Sequence, residues 1–472
     1  MLAHAEPGSV VSFMLPNWHE AATIYLATHL AGMIANPILP SLRDRELRFV
    51  LEDVRCRLIF VPGVFRGHDY GAMMTRVAAQ LRSPPTVVTV RGEETTHVPY
   101  PSLFAERGDC ELPPVEPDAV RFVLYTSGTT GTPKGVLHTQ NSIHALIRQL
   151  GRHWSIDPGD SFLVPSPISH IGGSIYAFEC PLLLGTKAVL LDRWDAQVAV
   201  EVAVRHGCTH MAGATPFLEG LLEAAKRANT RLPALKVFIC GGASVPPSLI
   251  RKAAAYFDRT IVTRVYGSTE VPVTTIGVPN REDLAHAADT DGRLAIAEVK
   301  LVDARGSHAS EGEIRARGPQ MLVGYVHVDQ ETDVFDDEGY YRTGDLGRWV
   351  DDHYLVVSGR SKDIIIRNGE NISPKEVEDY LKEHPNIREV AIVGIPHPKT
   401  GERVVAAIVP QRLPAPEVDD LCAFLKELGV ASFKIPEEVL VMNSLPKNDA
   451  QKTLKHEIRA LIAAGKDAAN AT

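Results

Sequence analysis

Tyr125-Thr-Ser-Gly-Thr-Thr-Gly-Thr-Pro-Lys-Gly-Val136 is the stretch on which the reading of this chain turns. Five hydroxyl residues, three glycines and Lys134 follow one another between two β-prone runs, Arg121-Phe-Val-Leu-Tyr125 and Gly135-Val-Leu-His-Thr139, so the polar segment reads as a loop between strands. Glycines let the backbone turn its N–H groups toward an anion, hydroxyls add donors around it, and Lys134 brings a mobile positive charge. Thr126, Ser127, Gly128, Thr129, Thr130, Gly131 and Lys134 are therefore candidate phosphate contacts. An ordinary surface turn would not string these residues together between apolar strands. Nor is this the loop of the common NTPases, which needs Gly, four residues and then Gly-Lys-Ser/Thr; here Pro133 precedes Lys134 and Gly135 follows it.

At 472 residues the chain is too long for one simple core, and at roughly 100–200 residues per domain it suggests two to four units. A hydrophobic content of 44% with 23% charged residues is ordinary globular composition. A formal charge of −9 argues against a general binder of nucleic acid or of membrane surfaces, which leaves small molecules or other proteins as partners. Cys56, Cys110, Cys180, Cys208, Cys240 and Cys422 are scattered without a C-x-x-C pair, so neither disulfides nor zinc are indicated. The N-terminus lacks a basic region leading into an apolar one, and no run reaches the roughly 18–20 apolar residues of a membrane span, so a cytoplasmic protein is expected.

The first 120 residues alternate strand-like and helical stretches, Val10 to Leu15 and then His19 to Met33, in an α/β rhythm. Ile143, Leu146, Ile147 and Leu150 follow the i, i+3, i+4, i+7 pattern of a helix with one buried stripe, which Thr139 or Asn141 can cap. A strand at Lys236 to Cys240 runs into Gly241-Gly242-Ala243, and Pro246-Pro247 opens a helix, so this glycine turn is a second place where a ligand can approach backbone. Short strands broken by Gly and Asp dominate from Arg293 to about Val357 and suggest a β-rich subdomain. A boundary falls near Ser358-Gly-Arg-Ser-Lys-Asp363. Beyond it Ser373-Pro-Lys-Glu376 has the form of a capping box, β-runs lie at Val390 to Ile395 and Val404 to Val409, and helical segments at Val418 to Leu428 and Leu454 to Ile462. The expected architecture is a large N-terminal α/β domain of packed sheets and helices with a β-rich subdomain, residues 1–360, and a small mobile C-terminal α/β domain, residues 361–472, with a frayed tail.

The phosphate-loop segment closely resembles that of the adenylate-forming superfamily, which contains the acyl-CoA synthetases, the adenylation domains of peptide synthetases and the luciferases. Three further segments resemble that family's motifs in its order: Tyr266-Gly-Ser-Thr-Glu270, Tyr341-Arg-Thr-Gly-Asp345 and Ser358-Gly-Arg360. The four span about 235 residues, too long an ordered series for chance. The resemblance implies that Tyr266, Gly267 and Ser268 run along the adenine, that Thr269 meets the α-phosphate of ATP, and that Glu270 binds Mg²⁺, an ion usually held by one or two carboxylates plus substrate phosphates. It implies that Asp345 accepts hydrogen bonds from both ribose hydroxyls, for which a carboxylate has the capacity, and that Arg360 contacts ribose and phosphate. Lys362 matches the family's hinge, and Lys452, in Asp449-Ala-Gln-Lys-Thr-Leu-Lys455, its catalytic lysine, a compact charge on a long arm suited to bridge the attacking carboxylate and the α-phosphate. His170, in Ser166-Pro-Ile-Ser-His-Ile-Gly-Gly173, matches a position lining the carboxylate pocket, and Gly172 and Gly173 leave room beside it for an acyl group.

Within the family the chain looks most like an acyl-CoA synthetase, because Lys362 to Glu376, including Gly369, resembles the segment that lines the pantetheine tunnel after domain rotation. Asn36-Pro-Ile-Leu-Pro and Phe49-Val-Leu-Glu-Asp53 are similar to segments of ligases for medium-chain, alicyclic or related acids. The chain departs from the family at three places: Gln451 stands where Gly is usual, Asn368-Gly369 replaces Gly-Gly, and several dozen residues common before the segment at Gly8 are missing. The implied substrates are a carboxylic acid, ATP with Mg²⁺, and coenzyme A; a homodimer is left open. The competing readings are an acyl-AMP ligase that passes the acyl group to a carrier protein, and a binder of acyl-adenylate without turnover.

Overall fold

The computed structural model describes residues 1–92, 96–104, 111–126, 133–242, 245–327, 329, 333–448 and 451–465. Among the described residues the N-terminal part holds three large sheets and a two-stranded one, Val64–Phe65 with His68–Asp69. The first has eight strands in the order Gly324–Tyr325, Lys134–Thr139, Val120–Thr126, Ile34–Pro37, Val10–Phe13, Leu58–Pro62, Thr86–Val90 and Val98–Pro99. It is parallel from Val120–Thr126 onward and antiparallel at the two strands that flank the phosphate-loop segment. The second is wholly parallel, in the order Lys187–Leu190, Ser161–Val164, His210–Gly213, Val237–Gly241 and Ile261–Val265. The third, Glu298–Val302, Glu311–Arg317, Tyr341–Val350 and Tyr354–Arg360, is the β-rich subdomain read from the sequence.

Local chemistry places these elements much as the sequence implies. The stripe Ile143, Leu146, Ile147 and Leu150 is buried on the helix Gln140–His153, and of the two possible caps it is Thr139 that accepts from the Ser142 N–H. The strand expected at Lys236 to Cys240 is Val237–Gly241, and Pro247 opens the next helix, Pro247–Tyr256. The capping box expected at Ser373 does not form. Its hydroxyl donates to the Ser358 carbonyl at the edge of the third sheet, and Glu376 pairs with Lys434, because tertiary partners outbid the local ones.

The C-terminal sheet follows the turn Ser361–Asp363, with Gly401–Pro410 and Ile387–His397 as its long antiparallel pair. Val404, Ala406 and Ile408 face a core built with the helices Pro374–Leu381 and Val418–Glu427, while Val405, Ala407 and Val409 face the helix Lys455–Ala463. Helices on both faces explain why this strand reads as an unbroken apolar run rather than an alternating one. The chain is thus α/β, with a large N-terminal and a small C-terminal part. Among the described residues no helix is long and apolar enough to cross a membrane.

Two buried contacts carry the second sheet toward the others. Arg264 donates through Nε and Nη2 to Asp291 Oδ1 at 3.1 and 2.6 Å, and Asp291 Oδ2 accepts from the Val357 N–H at 2.8 Å, joining the strand Ile261–Val265 to the third sheet. His138, wholly buried on the strand leaving the phosphate-loop segment, donates from Nε2 to the Thr269 carbonyl at 2.8 Å, which leaves Nδ1 as acceptor toward Ser142 Oγ at 3.2 Å. Burial pushes this imidazole down to about 4, against a small opposing effect of the Thr269 bond.

That shift has a stability consequence. An unfolded histidine takes up its proton near pH 6.5, whereas His138 in the fold does so only near 4, so between these values the unfolded chain binds more protons and stability falls as pH is lowered. The full window is worth on the order of 3 kcal/mol for this one residue. Denaturant unfolding at several pH values is expected to give a shallower acid decline for His138→Gln than for the wild type; identical slopes would remove His138 as a cause.

Candidate active site

Most of the residues singled out from the sequence lie on strands of the three large N-terminal sheets or in the turns beside them, with Gly369 and Lys452 in the C-terminal part and Lys362 on the turn before it. Val120–Thr126 and Lys134–Thr139 form a hairpin in which Thr126 pairs with Lys134, so the phosphate-loop segment is the connection between two antiparallel strands. Ser127, Gly128, Thr129, Thr130 and Gly131 lie outside the described residues, as does Ala243. The Lys134 ammonium lies 5.2 Å from the ring centroid of Tyr325, on the neighbouring strand.

Tyr266 to Glu270 leave the C-terminal end of the strand Ile261–Val265, the edge at which open parallel sheets bind ligands. The turn is tight: a Cβ on Gly267 would lie 2.6 Å from the Val273 nitrogen. The segment is fixed through its backbone, with Tyr266 N–H on Thr275 Oγ1 at 2.8 Å, the Thr269 carbonyl on His138, and the Glu270 carbonyl accepting from Leu322 N–H at 2.7 Å. Glu270 Oε1 accepts from the Tyr325 hydroxyl at 3.3 Å.

Asp345 and Arg360 are cross-strand partners in the third sheet. Asp345 is 6% exposed; its Oδ1 accepts from Arg360 Nε at 2.9 Å and its Oδ2 from the Tyr266 hydroxyl at 2.7 Å. Burial first, and then the Asp345 charge, raise the Tyr266 phenol well above its ordinary range, so it stays a donor.

Lys452 reaches this cluster from the C-terminal part. It sits on a hairpin in which Lys447 and Thr453 pair, Asn448 N–H donates to the Lys452 carbonyl at 3.0 Å, and Asn448 Oδ1 accepts from the Lys452 N–H at 2.9 Å. A Cβ on Gly242 would lie 4.0 Å from Lys452 Cε, so the lysine side chain runs beside the glycine turn after Val237–Gly241, where Gly242 holds φ of 81°. The residue is exposed. Desolvation and then the Arg360 charge hold its ammonium below the usual lysine range, with Asp345 and Glu270 acting the other way. His170 Nε2 is buried without a hydrogen-bond partner, and burial followed by the Lys452 charge brings its imidazole down to about 4, so it is neutral at pH 7.

Lys452, Asp345, Arg360, Glu270, Tyr266 and His170 are thus brought together, while Lys362 and Gly369 stand apart. Lys362 lies exposed on the turn Ser361–Asp363. Asn368 and Gly369 form a two-residue hairpin turn with φ of 53° and 83°, the left-handed pair that such turns require, and nothing lies within 4 Å of a Cβ placed on Gly369. Of the two glycines beside His170, Gly172 has no atom of the described residues within 4 Å of an added Cβ, as room for an acyl group requires. The acyl-room reading does not hold for Gly173, where a Cβ would meet the Pro167 carbonyl oxygen at 2.1 Å; this glycine serves chain packing. Gly241 is a packing glycine too, with Val265 Cγ2 at 2.7 Å from such a Cβ.

Tyr325, His138 and Asn448 escaped the sequence reading. Each acts by touching a recognised segment rather than by belonging to one. His138 alone left a trace, as a polar residue in an apolar strand directly after the phosphate-loop segment.

The comparisons with known proteins agree with this geometry. Residues 1–326 match the family model described as AMP-binding enzyme, and residues 376–452 match that of the AMP-binding enzyme C-terminal domain. The chain is 34% identical over 467 residues to the medium-chain fatty-acid–CoA ligase of Escherichia coli, covering 96% of this chain and 81% of that protein. It is 31% identical to the sulfoacetate–CoA ligase of Cupriavidus necator, over 94% of this chain and 86% of that one. Among solved structures, o-succinylbenzoate CoA synthetase from Bacillus subtilis in complex with its acyl-adenylate superposes with a TM-score of 0.83 at 25% identity, over 96% and 89% of the two chains. Amide bond synthetase McbA from Marinactinospora thermotolerans gives 0.85 at 26% identity, over 98% and 91%. With both family models matched in order, the first over residues 1–326, and a 34% identical relative covered over most of its length, this chain belongs to the AMP-binding enzyme family.

Proposed function

We propose that this chain is an ATP-dependent, AMP-forming acid–CoA ligase acting on a medium-chain, alicyclic or similar carboxylic acid. The observation that carries the reading is the placement of Lys452, from the small C-terminal part, beside Gly242 and within electrostatic reach of Asp345, Glu270, Arg360 and His170. The CoA ligases among its relatives support it. In the first step a carboxylate oxygen attacks the α-phosphorus of ATP, the bond to the β,γ-diphosphate breaks, and diphosphate leaves. In the second the CoA sulfur attacks the acyl carbonyl, its proton goes to solvent, and AMP departs.

Each residue has a task in the first step. Asp345 spends one lone-pair site on each of Tyr266 and Arg360, and a carboxylate has about four, so acceptors remain for the ribose hydroxyls. Thr126 to Gly131 and Lys134 take the β- and γ-phosphates, Gly241, Gly242 and Ala243 with Tyr266, Gly267 and Ser268 flank the nucleotide, and Thr269 meets the α-phosphate. Lys452, already desolvated, gains most as negative charge builds between carboxylate and phosphate. His170, uncharged at neutral pH, lines the carboxylate pocket without repelling that lysine. Glu270, its Oε1 oriented by the Tyr325 hydroxyl, offers the one carboxylate that would hold Mg²⁺ together with substrate phosphates, and the ion would neutralise phosphate charge when bound. The second step is assigned to a turn of residues 361–472 about Lys362, which would bring Gly369 toward the site.

Carboxylate-dependent release of diphosphate from ATP tests the adenylation, and CoA dependence of AMP release separates a CoA ligase from an enzyme that serves a carrier protein. Lys452→Ala is expected to lower diphosphate release by about 10²–10³ while ATP affinity in calorimetry stays near wild type. Wild-type turnover by that variant would remove the catalytic role. Lys362→Pro, which fixes φ and deletes an N–H, is expected to slow thioester formation from preformed acyl-adenylate far more than diphosphate release. Equal loss in both steps would point to misfolding, and no loss in either would move the hinge elsewhere.

A further inference from the structure

Tyr125 is the penultimate residue of the strand Val120–Thr126, directly before the phosphate-loop segment. Its hydroxyl donates to Oδ2 of Asp53, the last residue of the helix Asp44–Asp53, and Oδ1 of the same carboxylate accepts from His327 Nε2 at 2.5 Å. Asp53 is almost closed to solvent, its side chain 9% exposed, so its charge needs these partners. His327 follows the strand Gly324–Tyr325, which pairs with Lys134–Thr139, and the residue between, Val326, donates its N–H to the Gly135 carbonyl at 2.9 Å. Gly135 is in turn the cross-strand partner of Tyr125. Both legs of the hairpin that carries the phosphate loop are therefore tied to one buried carboxylate, one leg directly and the other through Val326 and His327.

The approach depends on Gly135. A Cβ there would lie 2.6 Å from Val326 Cγ2 and 3.2 Å from Tyr125 Cζ, so a side chain would drive the two legs from the segment that ties them. The Tyr125 ring also packs edge-on against Phe49 of the Asp53 helix, with centroids 6.4 Å apart.

We propose that Tyr125, Asp53 and His327 form a positioning clasp that fixes the root of the phosphate loop, and through it the affinity for the triphosphate of ATP. The clasp rests on the ligase reading for its purpose, but none of its members need touch substrate. Phosphate recognition by backbone N–H groups demands that the loop start and end at a set separation, because a preorganised anion site loses affinity when its donors must first be gathered. Protonation states suit the arrangement: burial and then Asp53 raise the Tyr125 phenol, which remains a donor, and the Asp53 bond followed by its charge raises His327, with Asp329 adding to the effect.

The test uses the full chain with Tyr125→Phe, which keeps the ring and deletes the donor, Asp53→Asn, their double variant, and the pair His327→Ala and His327→Gln. Diphosphate release at varied ATP, ATP binding by calorimetry and thermal unfolding are read for each. Tyr125→Phe and Asp53→Asn are each expected to raise the KM and Kd for ATP about tenfold with kcat near wild type, the size of one lost hydrogen bond to a charged group. The double variant is expected to be no worse than Asp53→Asn alone, because the Asp53 change already weakens the acceptor that Tyr125 uses, and His327→Gln, which retains a donor, to recover most of what His327→Ala loses. Unchanged ATP affinity in Tyr125→Phe overturns the clasp, and so does a loss shared equally by kcat, KM and thermal stability, which is the mark of a general structural role. If Asp53→Asn does not fold, Tyr125→Phe decides alone. A wild type that binds ATP but releases no diphosphate with any acid would sink the ligase reading while calorimetry still judges the clasp.

Discussion

The carboxylate of Asp345 is the constraint on which the site depends. It is nearly sealed from solvent, and an ionised group there is tolerated only with partners that repay its lost hydration. Tyr266 brings the end of the second sheet to it and Arg360 brings the last strand of the third, so one charge fixes where two sheets meet. Arg264 and Asp291 repeat the device one layer deeper. The crossing between them needs bare backbone: a Cβ on Gly292 would stand 2.4 Å from Gly277 Cα. Charge and the absence of side chains thus set the same junction, which brings the strand end that Tyr266 to Glu270 leave to the middle of the strand that carries Asp345.

Polar contacts of this kind govern position more than stability. A buried ion pair often gains little over well-packed apolar groups, but removing one partner leaves a stranded charge, so the pair specifies an arrangement. The bulk of the folding energy lies instead in the apolar clusters between sheets and helices, where the long runs Leu58–Pro62 and Val404 to Val409 are buried on both faces. Site residues at the strand ends are freed from packing duty, and this is why they can carry charges, glycines and hydroxyls.

The sequence announced the strands, the flanked phosphate loop and the order of motifs because each is a local pattern. A hairpin flanking a Gly-Ser-Thr run, a proline at a helix start or a stripe at helical spacing is complete within about fifteen residues. What it withheld was pairing. Ser373 had every local mark of a cap, yet its hydroxyl bonds Ser358, and no local rule could say that this carbonyl would lie within reach. Gly172 and Gly173 look alike as letters; only the Pro167 backbone against one of them separates open space from packing. Asp53 and His327, 274 residues apart, meet through sheet order alone.

The hairpin of Lys452 shows how far a local departure can be absorbed. Gln451 adopts φ of 61°, the left-handed region that glycine enters freely and that costs other residues roughly 1–2 kcal/mol. That strain persists because its surroundings over-determine the turn: Gln451 N–H binds the Asn448 carbonyl at 2.8 Å, and the Asn448 side chain receives the Lys452 N–H. A glycine would take the same backbone angle without strain but with more freedom to leave it. Gln451 N–H on the Asn448 carbonyl and Lys452 N–H on the Asn448 side chain thus tie the backbone that carries Lys452 to the opposite leg of its hairpin. The lysine's ammonium is held below the usual range by desolvation and then by the Arg360 charge, with Asp345 and Glu270 acting the other way, and no group of the hairpin is among these causes.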